Sequence, residues 1–322
     1  MPVHAFIFPG QGSQAVGMGR DLAAAFAAAR EVFEEVDEVL KQKLSKLMFE
    51  GPGEELTLTE NTQPALMAHS LAVLRVLERE GKFVLKQKAL VAAGHSLGEY
   101  SALAAAGAFS VADTARLLKL RGQAMQKAVP AGLGAMAALL GADMNQAAEI
   151  CAEAAQVPNA PPGTLEVVEP ANDNGGGQVV ISGHRTAVER AIEAAKGKGI
   201  RRAMMLPVSA PFHCALMAPA ADAMAEALAT VRPGFPSVPI IANVSAARES
   251  DPDAISDLLV RQVTATVRWR ECVQTMIELG VDSFVELGAG KVLSGLNRRI
   301  APDAASVSAS TPAEIEAILK SL

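Results

Sequence analysis

The chain has 322 residues, half of them apolar and 20% charged, enough to bury one large core or a core and a half. A net charge of −6 argues against nucleic acid as the main partner, and no apolar run approaches the ~20 residues that span a bilayer. The three cysteines, Cys151, Cys214 and Cys272, lack metal-ligand spacing and read as reduced thiols of a cytoplasmic protein. The N-terminus carries no basic segment followed by a signal-like apolar core.

Val3 to Phe8 has strand length and ends in Pro9-Gly10-Gln11-Gly12-Ser13-Gln14, a loop that cannot continue a strand. Gly17 is out of register for a dinucleotide fingerprint, and no Gly-Lys-Ser/Thr follows, so the loop reads as backbone N–H groups turned toward a site. A helix follows with Leu22, Phe26, Phe33, Val36 and Leu40 on one stripe. Thr62-Gln63-Pro64 opens a second helix, Ala65 to Leu77, apolar nearly all round and hence buried, with His69 inside it as a core histidine.

Ala89 to Ala93 is a short apolar strand, Gly94-His95-Ser96-Leu97-Gly98 a tight turn, and Glu99 to Ala106 an alanine-rich helix. Strand, glycine turn and helix with serine at the apex form the nucleophile-elbow pattern G-x-S-x-G. Glycines tolerate the close chain approach of such a turn, and the helix N-terminus favours negative charge developing near Ser96. Ser110-Val111-Ala112-Asp113 starts the next helix as a capping box. Its apolar face carries Leu117, Leu118, Met125 and Ala128, and Arg121 falls on that face. A buried arginine needs a partner: either a structural ion pair or a substrate carboxylate held by the guanidinium fork.

From Gly132 to Leu206 the pattern reads strand (135–140), helix (145–155), strand (165–168), Gly175-Gly176-Gly177 turn, strand (178–181), helix (186–195) and strand (203–206). This β-α-β-β-α-β order is that of a ferredoxin-like unit, inserted at 132–206 into a larger domain made of 1–131 and 207–322. The basic run holding Lys196, Lys198, Arg201 and Arg202 is a candidate dock for an anionic partner. A strand at 239–244, helices at 254–263 and 269–279, a strand at 282–287, a helix at 291–300 and a terminal helix at 311–322 complete the chain. Alternating strands and helices predict a mainly parallel sheet covered on both faces.

A serine nucleophile needs a base, and there are five histidines. His4 begins a strand, His69 is mid-helix, His95 points away from its neighbour Ser96, and His184 opens a surface helix. Elimination leaves His213, in a proline-bounded loop where the chain re-enters the large domain. Its orienting partner is open: Asp222 and Glu226 lie on the helix beyond, and a backbone carbonyl is the other candidate.

Ser96 in G-H-S-L-G-E, Arg121 in K-L-R-G, His213 in P-F-H-C-A-L-M and the opening F-P-G-Q-G-S-Q together resemble the malonyl-CoA:acyl carrier protein transacylase family. T-Q-P-A at 62–65, Q-V-V-I-S-G at 178–183 and V-R-W at 267–269 extend the likeness over nearly the whole chain. The resemblance implies an α/β fold: a large α/β-hydrolase-like domain, an inserted ferredoxin-like domain, and an active site in the cleft between them. It implies Ser96 as the nucleophile carrying a malonyl ester, His213 as base and acid, and the Gln262 carbonyl as the group orienting His213. Gln11 and Leu97 would supply oxyanion N–H groups. Arg121 would grip the malonyl carboxylate, and Asn172 and His95 would line the substrate site. Malonyl-CoA and acyl carrier protein are the implied partners, with no metal or redox cofactor and a monomeric enzyme. Ala289, where many relatives have proline, and Cys214, where serine is common, depart from the family pattern without touching a proposed role. A serine acyl hydrolase would share Ser96 and His213 but leave Arg121 unexplained. A polyketide synthase acyltransferase would differ only in the carrier, and a scaffold protein would have no use for the nucleophile.

Overall fold

The computed structural model describes residues 2–161, 163–200 and 202–321. Two sheets organise it. The larger contains β1 (His4–Phe8) and β2 (Ala89–Gly94); the smaller contains β3 (Gly134–Leu140), β4 (Val168–Asp173), β5 (Gln178–His184) and β6 (Arg202–Met205). The chain then returns to the larger sheet with β7 (Ile240–Ile241), β8 (Arg248–Glu249), β9 (Ser283–Leu287) and β10 (Ala305–Ala309). The larger sheet runs β10-β9-β1-β2-β7-β8, parallel except for the β7–β8 pair.

Alternation along the central strands explains why both faces of this sheet are covered. Phe6, Phe8, Ala92, Val285 and Leu287 join one apolar cluster; Ala5, Ile7, Val91, Ala93 and Phe284 join another on the opposite face. The chain leaves the carboxyl ends of β1 and β2 into the Gln11 loop and the Ser96 turn. In an open parallel sheet this is the edge where ligands bind.

The smaller sheet is antiparallel, in the order β4-β5-β3-β6. Ala135, Ala137, Leu139, Val179 and Ile181 face the helices Met144–Ala154 and Arg185–Gly197. Their neighbours Met136 and Val180 point the other way and join the core of the larger sheet. One face is thus a private core, and the other forms a wall of the cleft.

Several elements differ from the expectation. The strand expected at 165–168 lies at Val168–Asp173, while Leu165 is 61% exposed. This edge strand contains Pro170 and is irregular between Pro170 and Asn172, where a missing backbone donor is tolerated. Pro64 does not open its helix but lies inside Thr59–Gly81, whose first turn buries Thr59, Thr62 and Gln63. The strand expected at 239–244 pairs only over Ile240–Ile241, because Asn243 turns away toward the Ser96 turn. β8 and β10 were not expected; β10 reads Ala-Ser-Val-Ser-Ala, with little apolar signal. No helix among the described residues is long and apolar enough to cross a membrane.

Candidate active site

Ser96 sits between β2 and the helix Leu97–Ala105 with φ 53° and ψ −110°, a conformation costly for any residue with a Cβ. The flanking glycines make the turn sterically feasible. A Cβ on Gly94 would lie 1.9 Å from the carbonyl carbon of Gly98, and one on Gly98 would lie 2.3 Å from the Phe8 carbonyl oxygen. The turn is further held by Asn243, whose Oδ1 accepts from the Ser96 amide (2.8 Å) and whose Nδ2 donates to the Gly94 carbonyl (2.7 Å).

The structure brings His213 to Ser96 from across the chain. Gln262 O accepts from His213 Nδ1 at 2.8 Å, which fixes the proton on Nδ1. Nε2 is then the acceptor for Ser96 Oγ, also at 2.8 Å. Burial, followed by the positive charge of Arg121, lowers the His213 pKa to about 3, so the imidazole is neutral and available as a base. Asp222 and Glu226 do not orient it; the Gln262 carbonyl does.

Arg121 is 1% exposed and has no carboxylate hydrogen-bond partner among the described residues. Nη1 donates to Gln63 Oε1 (2.8 Å); Nη2 donates to Gln262 Oε1 (2.9 Å) and Ser96 Oγ (3.2 Å). Its Cζ lies 5.7 Å from the Tyr100 ring centroid, a cation–π distance, and its Nε has no acceptor among the described residues. The ion-pair alternative is thereby set aside in favour of a guanidinium held by neutral groups. Glu99 comes close but binds Gln262 Nε2 (2.7 Å) and the Asn243 amide (3.0 Å), and burial pushes its pKa up to about 7.

Ser96, His213, Arg121 and Gln63 line a cleft of about 580 Å3 together with Gln11, Leu97, His95, Asn172, Met136 and Val180, so both sheets contribute to its walls. The backbone amides of Gln11 and Leu97 have no acceptor among the described residues. His95 does not bond Ser96: its Nε2 meets Asn174 Oδ1 at 2.9 Å, and its ring lies 5.8 Å from Trp269. Asn172 lines the cleft, but Asn174 is the asparagine that engages a site histidine.

The basic run is not part of this constellation. Lys196 pairs with Glu193 at 2.6 Å, and Lys198 pairs with Glu153 (3.3 Å) and Glu149 (3.9 Å). Arg202 is exposed at the start of β6, and Arg201 lies outside the described residues. Cys214 points its thiol at the Pro211 carbonyl (3.3 Å), Ala289 is buried, and neither lines the cleft.

No sequence pattern marks Asn243, Asn174 or the side chain of Gln262 as part of the site; Glu99 and Gln63 lie within G-H-S-L-G-E and T-Q-P-A, where a signal is present but no role is.

Residues 5–309 match the model of the acyl transferase domain family. The chain is 47% identical over 320 residues to the malonyl CoA-acyl carrier protein transacylase of Escherichia coli K12, covering 99% of this chain and 100% of that protein. It is 56% identical to the acyl-carrier-protein-S-malonyltransferase of Bartonella henselae, whose crystal structure superposes with a TM-score of 0.94 over 99% of each chain. A malonyl-transacylase solved in complex with its type II PKS acyl-carrier protein is 43% identical, with a TM-score of 0.93 over 99% of this chain and 100% of that one.

Proposed function

The chain belongs to the acyl transferase family, among the malonyl CoA-acyl carrier protein transacylases, and on that premise we propose that it moves malonyl from malonyl-CoA to the phosphopantetheine thiol of acyl carrier protein by way of malonyl-Ser96. The observation that carries this reading is the convergence on one oxygen: Ser96 Oγ donates to His213 Nε2 and accepts from Arg121 Nη2.

His213 takes the serine proton as Oγ attacks the thioester carbonyl, and the imidazolium that forms keeps its Nδ1–H on the Gln262 carbonyl. The amides of Gln11 and Leu97 receive the oxyanion; losing one such donor typically costs ~10²–10³ in rate. Coenzyme A leaves as the thiol with the proton from His213. The carrier thiol then gives its proton to His213 and attacks the ester carbonyl, and Ser96 leaves as the hydroxyl with that proton returned from His213 Nε2. Arg121 selects a donor with a terminal carboxylate, because an acetyl group leaves its buried charge unanswered. The chemistry calls for no metal or redox cofactor.

We read the larger sheet as an α/β-hydrolase-like domain (1–131 and 207–322) and the smaller as an inserted ferredoxin-like unit (132–206). The antiparallel order β4-β5-β3-β6 with two helices on one face supports the second. Lys196, Lys198, Arg201 and Arg202 remain our candidates for carrier docking, and we place the enzyme in the cytoplasm. A second reading, service to a polyketide carrier, is favoured by the likeness to the transacylase solved with a type II PKS carrier.

Intact-protein mass spectrometry after mixing with malonyl-CoA tests the proposal. A malonyl adduct on the wild type and none on Ser96→Ala is expected. Free malonate accumulating without carrier-dependent transfer would turn the assignment to a hydrolase. Holo carriers from fatty acid and polyketide systems, offered in competition, decide the acceptor.

A further inference from the structure

Arg121 is joined to the Gln11 loop by a one-way chain of hydrogen bonds. Arg121 Nη1 donates to Gln63 Oε1 at 2.8 Å, Gln63 Nε2 donates to Thr59 Oγ1 at 2.9 Å, and Thr59 Oγ1 donates to Gln11 Oε1 at 3.0 Å. The direction follows from chemistry. A guanidinium has no acceptor, so the Gln63 amide must turn its oxygen to Arg121 and its NH₂ to Thr59. The Thr59 hydroxyl, having accepted from Gln63, has one proton left, and it goes to Gln11. Thr59 is 0% exposed and Gln63 1%, so water does not substitute for either link.

We propose that Thr59 is a positioning residue that ties the Gln11 oxyanion amide to the carboxylate-binding guanidinium. The proposal rests on the transacylase reading. In a malonyl thioester the carboxylate and the reacting carbonyl are separated by a single methylene, so a carboxylate on Arg121 fixes where the oxyanion forms. The oxyanion donor must therefore stand at a set spacing from the guanidinium. Gln11 lies on a loop after β1 and Arg121 on the helix Val111–Ala128; the Thr59 hydroxyl bridges them through Gln63. A chain of hydrogen bonds in one direction also stiffens as each link polarises the next.

Thr59→Val keeps the shape and removes the hydroxyl, while Thr59→Ser keeps the hydroxyl. Gln11→Met removes the far end of the relay and leaves the backbone amide in place. The readouts are the saturating single-turnover rate of malonyl-Ser96 formation, the malonyl-CoA concentration giving half that rate, and the thermal midpoint. Thr59→Val should lower the saturating rate ~10-fold or more, as a misplaced oxyanion donor does, with half-saturation within ~3-fold of wild type. Thr59→Ser should restore the rate to within ~3-fold, Gln11→Met should match Thr59→Val, and the double variant should be no slower than either single one. A folded Thr59→Val protein with the wild-type rate overturns the proposal, as do a raised half-saturation at unchanged rate and fully multiplicative losses in the double variant. If Thr59→Val does not fold, Gln11→Met decides alone, and an unchanged saturating rate refutes the relay. A wild-type protein that forms no malonyl-serine refutes the transacylase reading itself, a distinct result.

Discussion

Replacing Arg121 by Met separates its two jobs at the active site. The side chain touches the nucleophile, through Nη2 to Ser96 Oγ at 3.2 Å, and it is a buried cation whose other acceptors are two neutral amide oxygens. Loss of the contact to Ser96 acts on any acyl donor alike. Loss of the cation acts only on a donor with a carboxylate. Two charge-assisted hydrogen bonds to that carboxylate, each contributing about 1.5–3 kcal/mol, amount to about 3–6 kcal/mol, a factor of ~10²–10⁴ in kcat/KM. In single-turnover competition between equimolar malonyl-CoA and acetyl-CoA, read by intact mass, the malonyl preference of the wild type should fall by that factor in Arg121→Met. Urea denaturation of both proteins establishes that the variant is folded, since Gln63 and Gln262 each lose a donor. A variant that slows both donors equally and keeps the wild-type ratio would refute the reasoning and leave Arg121 as a support for Ser96 and Gln262.

The strain at Ser96 predicts an inverted glycine effect. Ser96→Ala and Ser96→Gly both remove the hydroxyl, but only Ala keeps a Cβ at φ 53° and ψ −110°, so Ser96→Gly should be the more stable by about 1–2 kcal/mol in urea unfolding. In an ordinary helix or strand the order is the reverse, and an Ala variant equal to or above Gly would show the turn to be unstrained. The second concerns pH. With His213 held at about 3, chiefly by burial and then by Arg121, the rate of acyl-serine formation should not fall as pH drops through 6.5, the ordinary imidazole range. Taking away Arg121 removes one cause of the lowering, so the acid limb of the pH–rate profile should move upward in Arg121→Met while burial still keeps it below 6.5. A wild-type limb centred near 6.5 would mean that the histidine is solvated.

What was legible in the sequence is what local sterics or periodicity impose. Gly94 and Gly98 are required because the strand, turn and helix touch backbone to backbone, and that demand is written within five residues. Arg121 stood out because a cation on an apolar helical stripe breaks its pattern. His213 emerged only by elimination, since a loop residue at φ 58° has no periodicity to betray it. Hidden instead were the neutral amides that finish the site. Asn243 meets Ser96 from 147 residues away, Gln262 meets Arg121 from 141, and Asn174 meets His95 from 79. Asparagine and glutamine are ordinary surface residues, and nothing in their spacing marks them until the fold converges. The basic run shows the other side of adjacency: it marks a positive stretch, but not that Glu149 and Glu153 on the neighbouring helix partly neutralise Lys198.

Those amides also explain how a buried arginine can remain receptive. Glu99 is fully buried in the same region, and placed directly on Arg121 it would neutralise the guanidinium and remove the reason for an anionic substrate to enter. Instead the Gln262 side chain stands between them, taking Arg121 on Oε1 and Glu99 on Nε2. An amide can satisfy both without carrying charge. Arg121 and Glu99 therefore each meet the Gln262 amide rather than each other. In Glu99 burial outweighs the hydrogen bonds from Asn243 and Gln262 and the weaker pull of Arg121, and raises the pKa to about 7. In His213, Arg121 adds to burial in keeping the imidazole neutral. A substrate carboxylate arriving at Arg121 would relieve this second effect, making His213 more basic when the correct donor is bound. The guanidinium would then both select the malonyl donor and tune the base that activates Ser96.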